Sequence, residues 1–405
     1  MTSVLVSGAS IAGPALASWL HRHGFEVTVI ERADELRSGG QNVDVRGAGR
    51  DVARRMGLED AIRAASTGEA GVRFVDVDDR IIASFAAGSS DSDGPTAELE
   101  ILRGDLARLL VEQSLSGWGA AAEVAYVFGD HITGLDDHGT GVRVTFARGA
   151  TRSFDLVVAA DGIRSSTRAL VLGDEPVVKP LGMYTAYLTI PRTETDTAWA
   201  RWFNAPGGRT STLRPDNVGT TRATLSFMSE PRGYERWDGA GQRDVLRQRF
   251  AGVSWEVPRI LDALDGTEVY FEAISQVQAP RWSVGRTAVL GDAAYCASPI
   301  SGMGTSLALA GAYVLAGELA TRPDHVSAFA AYESIMRPYV EQAQQLPPGT
   351  PRLANPQTRA GIAGFNTILR VASTKVAQRA ARTVFSPKAE RIELPTYRPA
   401  TAPTL

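Results

Sequence analysis

"SVLVSGASIAGPALASWLHRHGFEVTVIER", residues 3–32, decides the fold. Residues 3–7 read as an apolar strand, and 8–13 as a turn bounded by two glycines. Residues 14–23 then carry apolar side chains at helical spacing, and Gly24 stands where a helix C-cap belongs. A second strand over 26–30 ends in Glu31. Strand, tight turn, helix and strand within about thirty residues make one βαβ unit. Such a unit implies a parallel sheet with helices packed on it, the α/β class.

The turn "GASIAG" holds Gly8, Ser10, Ile11, Ala12 and Gly13. Gly8 permits the sharp bend and Gly13 lets the helix lie close to the strand. The uncovered N–H groups at the helix start suit a pyrophosphate. Glu31, followed by Arg32, stands where a carboxylate accepts from a ribose hydroxyl. A carboxylate there repels a 2′-phosphate, so the ligand is an adenosine with a free ribose, FAD or NAD. Two other readings compete. One is a plain structural turn. The other is a hydrolase nucleophile elbow, Gly8-Ala9-Ser10-Ile11-Ala12, which needs a histidine in a strand-end loop. His21, His23, His131, His138 and His325 are scattered, stand in no such context and read mostly as exposed; no metal site is expected from them.

Two more segments repeat the strand–turn–helix style. "FDLVVAADGIRSSTR" (154–168) ends its strand on Asp161-Gly162. "VLGDAAYCASPISGMGTSLALAGA" (289–312) runs from a strand through Gly291-Asp292 into a loop with Pro299, Gly302, Met303 and Gly304, then into an alanine-rich helix. A doubly wound sheet would bury the strand before Asp292, so that carboxylate needs donors, which sugar-alcohol hydroxyls supply. The glycines leave bare N–H groups at a helix start, a natural anion-stabilising site.

Between these segments the pattern changes. "GMYTAYLTIP" and "TRATLSFM" alternate with period two, as half-buried antiparallel strands do. Two hairpin-like strands are expected near 124–128 and 141–147. Residues 1–72, 98–178 and 279–345 read as one discontinuous nucleotide-binding domain. Residues 73–97 and 179–278 read as a mostly antiparallel insert for substrate. A helix over about 358–384 and a proline-rich tail fill 346–405.

The chain has 405 residues, 44% hydrophobic and 21% charged, with net charge −3. That balance gives no reason to expect nucleic acid as a partner. No apolar run has the roughly 18–20 residues that cross a bilayer. The single cysteine, Cys296, excludes an internal disulfide framework and fits a cytoplasmic protein without a signal peptide. Monomer and dimer both stay open.

Taken in order, "GASIAG…Glu31", "ADGIRSSTR" and "GDAAYCASPISGMGTS" resemble the FAD-dependent aromatic hydroxylases of the p-hydroxybenzoate hydroxylase type, over residues 1–345. "GTSLALAGAYVLAGEL" is similar to a bacterial branch that includes tetracycline-modifying and antibiotic-tailoring monooxygenases. The resemblance implies a Rossmann-like FAD-binding domain of the glutathione-reductase type, interrupted by an antiparallel substrate domain. Gly8, Ser10, Gly13 and Glu31 would hold the ADP half of FAD, with Ile11, Ala12 and Arg32 beside them. Arg103 in "LRGDLARLL" matches the arginine of the phosphate–ribityl region, and Arg46 a residue next to the flavin and the one candidate for a catalytic role. Asp161 and Gly162 match a motif linked to both FAD and NAD(P)H. Gly291 and Asp292 would meet the ribityl chain, and Pro299, Gly302, Met303 and Gly304 the isoalloxazine ring. Three positions depart from the family pattern: Tyr295 for its usual His, Ser306 for Asn, Gly311 for Asp. The departures bear on flavin affinity and positioning.

The implied chemistry is the cofactor's. NADPH or NADH reduces FAD, dioxygen gives a C4a-hydroperoxide, and one oxygen passes to an aromatic or polycyclic, polyketide-like substrate by hydroxylation or epoxidation. A reductase or dehydrogenase on the same fold is the alternative. Tyr184, Tyr187, Trp202, Phe203, Phe227 and Met228 are candidates for an apolar substrate wall, with ordinary core as the competing reading. Arg201, Arg209 and Arg214 could meet a phenolate or carboxylate, or be solvated surface.

Overall fold

The computed structural model describes residues 1–37, 40–87, 99–116, 124–347, 349–374 and 392–397. The opening segment folds as strand Ser3–Ser7, helix Ala12–Arg22 and strand Glu26–Glu31. Ser3–Ser7 sits between Glu26–Glu31 and Leu156–Ala159, parallel to both, with Ser7 opposite Ile30 and Ala159. Thr287–Val289 extends the parallel sheet on one side and Val124–Phe128 on the other, and Ser283–Val284 adds a short antiparallel edge. These strands are nearly continuous apolar runs because helices cover the sheet. All four motif strands end on the same edge, which brings Gly8, Glu31, Asp161 and Gly291 together there. Carboxyl ends of strands in a doubly wound sheet are where ligands bind.

Helices Ala12–Arg22, Arg103–Ser116, Gly304–Thr321 and His325–Gln344 pack against this sheet and one another. Trp19 meets Tyr313 edge-on at 4.9 Å between ring centres. His21 is buried, unlike the exposure expected of most of the histidines, because the face that packs on Arg103–Ser116 includes it; its Nδ1 lies 3.1 Å from the Ser114 carbonyl. The expected hairpin near 124–147 is not formed. Val124–Phe128 joins the parallel sheet, and Ile132–Asp137, Val142–Phe146 and Arg152–Phe154 make a separate three-stranded antiparallel sheet.

The second large sheet has seven strands in the order Tyr270–Gln278, Val177–Pro191, Thr220–Met228, Arg209–Pro215, Trp199–Ala205, Gly71–Val75, Ile81–Ala86. It is antiparallel except where Trp199–Ala205 runs parallel to Gly71–Val75. One face carries Tyr184, Ala186, Leu188, Leu225, Phe227 and Phe271 against helices Gly239–Phe250 and Val257–Asp262. The alternation that buries this face turns Thr185, Tyr187, Thr224, Ser226, Tyr270 and Glu272 to the other. Helix Arg359–Ala372 packs on the far strands, Phe365 against Phe74. The remainder of the helix expected to 384, and residues 88–97 of the expected insert, lie outside the described residues. No described helix is long and apolar enough to cross a membrane.

Candidate functional site

The glycine turn is forced by crowding. Gly8 has φ +106°, and a Cβ there would lie 2.6 Å from the Ala160 carbonyl oxygen and 2.8 Å from Asp161 Cα. A Cβ at Gly13 would overlap the Gly8 carbonyl. No side chain caps helix Ala12–Arg22 and no acidic residue lies in its first turn, so its N–H groups stay available to a ligand. Glu31 reaches back across the turn: Oε2 accepts from Ala9 N–H and Oε1 from Ala33 N–H, both at 2.9 Å. Each carboxylate oxygen keeps a second lone pair for a hydroxyl. Arg32 is exposed and donates to Ser166 Oγ at 2.8 Å.

Asp161 serves its own loop. Its carboxylate accepts from Ser165 Oγ, from Thr167 Oγ1 at 3.0 Å and from Thr167 N–H at 3.3 Å, at the start of helix Ser166–Leu172. Thr167 Oγ1 in turn pairs with Ser7 Oγ at 3.0 Å, which pins this loop to the glycine turn. Gly162 has φ +85° with nothing within 4 Å of a Cβ position. Arg164 reaches the second sheet, donating to the Phe271 carbonyl at 2.8 Å.

The third motif meets the first. A Cβ at Gly291 would fall 2.9 Å from Ala12 Cβ. Asp292 opens the short helix Asp292–Tyr295, and its Oδ1 lies 3.8 Å from a Cβ position at Gly304. Its side chain is open to solvent in a recess whose walls press its carboxyl above the usual range, while Arg103 draws it back. Pro299 opens a short 3₁₀ turn, and Gly302 has φ +64° with open space around a Cβ position. Buried Met303 precedes helix Gly304–Thr321, which has no side-chain cap and no acidic residue in its first turn. Arg103 heads helix Arg103–Ser116; among the described residues its guanidinium makes no hydrogen bond, yet its charge acts on Asp292, Glu272 and Tyr270. Arg46 pairs with Asp44, and its carbonyl accepts from Ser306 Oγ at 2.8 Å.

Two of the three departures from the family pattern, Tyr295 and Gly311, are packing partners. The Tyr295 hydroxyl occupies the space that a Cβ at Gly311 would fill, and pairs with Tyr332 Oη at 3.1 Å. Burial pushes Tyr295 up to about 12. Ser306 fits against Gly49, whose Cβ position is 2.7 Å from Ser306 Cα and 2.8 Å from its Oγ. A large residue at 295 therefore requires a bare one at 311, and these changes reshape the packing behind the recess.

Of the proposed substrate residues, Tyr187, Trp202 and Met228 lie on the polar face of the second sheet. Tyr184, Phe203 and Phe227 do not: period two turns them to the helix-covered face. There Tyr184 stacks on Phe227 and Phe271, and its hydroxyl accepts from Arg232 and Gly233 N–H. Arg201 is buried among Asp79, Asp196 and Glu256, and Arg214 holds Glu69 and Glu100, so neither is solvated surface. Arg209 donates to the Pro206 and Arg249 carbonyls. Burial, helped by the neighbouring Glu100 carboxylate, pushes Glu69 up to about 7 against the pull of Arg214.

Sequence reading missed Glu272 and Tyr270. Tyr270 Oη donates to Glu272 Oε2 at 3.3 Å, and the Tyr187 and Tyr270 rings lie 6.0 Å apart. The available signal was "YFEAISQV", an acid placed in step with a tyrosine in an otherwise buried strand. A separate cavity of about 550 Å³ lies toward the other end of the sheet, lined by Phe74, Trp202, Asn204, Ile362 and Asn366. Its strand is four strands from that of Glu272, about 19 Å at the usual spacing.

The model of an FAD binding domain family matches residues 1–346. A flavin-dependent monooxygenase from an unknown prokaryotic organism is 39% identical, over 84% of this chain and 87% of that one. The chain belongs to the FAD-dependent monooxygenases. Flavin-dependent monooxygenase eupH of Phoma sp is 36% identical across 98% of both chains. The crystal structure of tetracycline destructase Tet(51) superposes with a TM-score of 0.80, at 30% identity, covering 98% of this monooxygenase and 99% of that chain.

The residues present fit FAD. The close glycine turn and uncapped helix suit a pyrophosphate, Glu31 a ribose, and Arg103 offers a guanidinium without a hydrogen-bond partner in the described chain. Asp292 presents an exposed carboxylate to the recess, and the bare Gly302–Gly304 corner leaves room for a flat ring beside a helix N-terminus.

Proposed function

We propose that this monooxygenase inserts one oxygen atom of dioxygen into an aromatic or polyketide-like small molecule, by hydroxylation or epoxidation, with NADPH or NADH as reductant. The observation that carries the reading is that the strand bearing Tyr270 and Glu272, with Tyr187 beside them on the same polar face, packs on helix Asp292–Tyr295 of the first domain, where Val277 N–H donates to the Cys296 carbonyl at 3.0 Å. Substrate held on that face lies against the cofactor-binding edge. The 30% identical structure is of a tetracycline destructase, which supports a polycyclic aromatic substrate class.

Bound FAD supplies the redox chemistry and the activation of dioxygen. The chain's part is binding, orientation and exclusion of water. Gly8, Gly13 and the start of helix Ala12–Arg22 hold the pyrophosphate, and Glu31 the adenosine ribose. Arg103 faces the phosphate–ribityl region and Asp292 the ribityl hydroxyls. Gly302, Met303 and Gly304 face the ring, where the helix N-terminus favours negative charge. Arg46, held by Asp44, sets the neighbouring loop. Tyr187 and Tyr270 offer hydroxyl oxygens and ring faces to substrate, and Trp202 and Met228 continue that wall.

The test is a panel of phenols and polycyclic polyketides incubated with purified protein, FAD, NADPH and air. The reading predicts substrate-stimulated NADPH oxidation and a product heavier by one oxygen atom. Substrate desaturation or reduction with no oxygen gained would replace it with the dehydrogenase or reductase alternative.

A further inference from the structure

We infer that Ser306 is a positioning residue: its hydroxyl ties the segment carrying Arg46 to the helix head that faces the flavin ring, and FAD affinity depends on that tie. This rests on the reading that Arg46 stands next to the flavin.

Arg46 is the last extended residue before helix Gly47–Arg55, with φ −132° and ψ 165°, and Gly47 turns the chain into the helix at φ +50°. Its guanidinium pairs with Asp44, at the end of strand Asn42–Asp44. On that side the segment is held by the pairing of Asn42–Asp44 with Glu100–Leu102, and by Val45 N–H, which donates to the Leu99 carbonyl at 2.9 Å. The Arg46 carbonyl accepts from Gly49 and Arg50 N–H at 3.0 and 3.3 Å, but both bonds lie within its own helix and tie it to no other element.

Toward the ring-facing helix, the tie is Ser306. It is the third residue of helix Gly304–Thr321, wholly buried, and its Oγ donates to the Arg46 carbonyl at 2.8 Å. Bare Gly49 makes the approach possible, since a Cβ there would lie 2.7 Å from Ser306 Cα and 2.8 Å from its Oγ. Farther along, Arg55 Nη1 donates to Tyr313 Oη, which fixes the tail of the short helix to the long one separately from its head. Gly302–Gly304 immediately precede Ser306, so the corner assigned to the ring and the segment of Arg46 stay in register while the Ser306 bond holds. A ligand that touches both gains most when both are already ordered. Without the hydroxyl, the head of helix Gly47–Arg55 must be ordered as FAD binds, and affinity falls.

The experiment is fluorescence titration of the deflavinated full-length protein with FAD, for wild type, Ser306→Ala, Arg46→Ala and the double variant, with urea unfolding of each. Ser306→Ala is expected to raise the dissociation constant about two- to tenfold, the worth of one neutral hydrogen bond. Arg46→Ala is expected to raise it about tenfold or more, as loss of a charged contact does. In the Arg46→Ala background, Ser306→Ala should change it by less than about twofold, because the side chain that it positions is gone. Tyr313→Phe is the structural control. It loses the bond from Tyr313 Oη to the Pro395 carbonyl, away from the helix heads, and should lower the urea midpoint without weakening FAD. With Arg46→Ala weakening FAD as expected, three results each overturn the proposal: no loss in Ser306→Ala, an equal loss in both backgrounds, or a comparable loss in Tyr313→Phe. Each of these leaves Arg46 beside the cofactor. An unchanged dissociation constant in Arg46→Ala instead shows that Arg46 does not meet the flavin, and the underlying reading fails.

Discussion

The pairing of Tyr295 with Gly311 makes a quantitative forecast. Gly311 lies within helix Gly304–Thr321, and an added Cβ would overlap Tyr295 Oη while sitting 3.0 Å from Leu290 Cδ1 and 3.3 Å from Tyr295 Cζ. The ring has little room to yield, being held 4.6 Å from the Trp282 ring centre and hydrogen-bonded to Tyr332. Gly311→Ala gains about 1 kcal/mol of helix propensity. Overpacking opposes it with about 3 kcal/mol, the upper end of the usual range for a rigid site, which leaves a net loss of about 2. Tyr295→Phe forfeits the hydroxyl pair, about 1 kcal/mol. Additivity would put the double variant about 3 kcal/mol below wild type. If the hydroxyl carries the overlap, the double variant keeps only the lost hydrogen bond and the helix gain, and stands within about 1 kcal/mol of wild type. Urea unfolding followed by circular dichroism, compared at equal slope, measures the coupling of about 2–3 kcal/mol. Additive losses would show that the two positions are independent and that the crowding argument is wrong.

Other perturbations follow from the same geometry. Glu69 is lifted from its ordinary 4.5 to about 7, so the folded state binds more protons than the unfolded one between those values. Stability from this group is greatest at low pH and is lost as pH rises toward 7; Glu69→Gln should remove that decline, on the order of 2 kcal/mol, from the urea midpoint measured at mildly acidic and at neutral pH. Glu31→Ala frees Ala9 and Ala33 N–H and removes the ribose acceptor; at about 1.5–3 kcal/mol per charged hydrogen bond, FAD affinity should fall at least tenfold in a fluorescence titration. Gly8→Ala meets the Ala160 carbonyl at 2.6 Å in a positive-φ backbone and should yield protein that is unfolded or free of FAD, visible as loss of the flavin absorbance on purification. Met228→Ala, on the polar sheet face, should raise the KM for substrate several-fold while leaving FAD affinity unchanged.

The sequence made the cofactor-binding edge legible because its constraints are local. A positive-φ glycine, an uncapped helix start and a carboxylate at the next strand end lie within thirty residues of one another. The second sheet was legible as antiparallel, but not which of its faces is inward. Period two separates Tyr184 from Tyr187 without naming the side, and only helices Gly239–Phe250 and Val257–Asp262 settle that Tyr184 is core. Tyr295 and Gly311 read as two departures because their contact depends on how a short helix lies on a long one. Arg103 lies far in sequence from Asp292, and the strand of Glu272 reaches helix Asp292–Tyr295 only once the second sheet packs on the first domain.

The central claim, that oxygen from dioxygen reaches the substrate, is tested most directly by running the reaction under ¹⁸O₂ in ordinary water and weighing the product. The account predicts one labelled oxygen atom per product molecule. Unlabelled oxygen taken from water, or a product with none added, would contradict it.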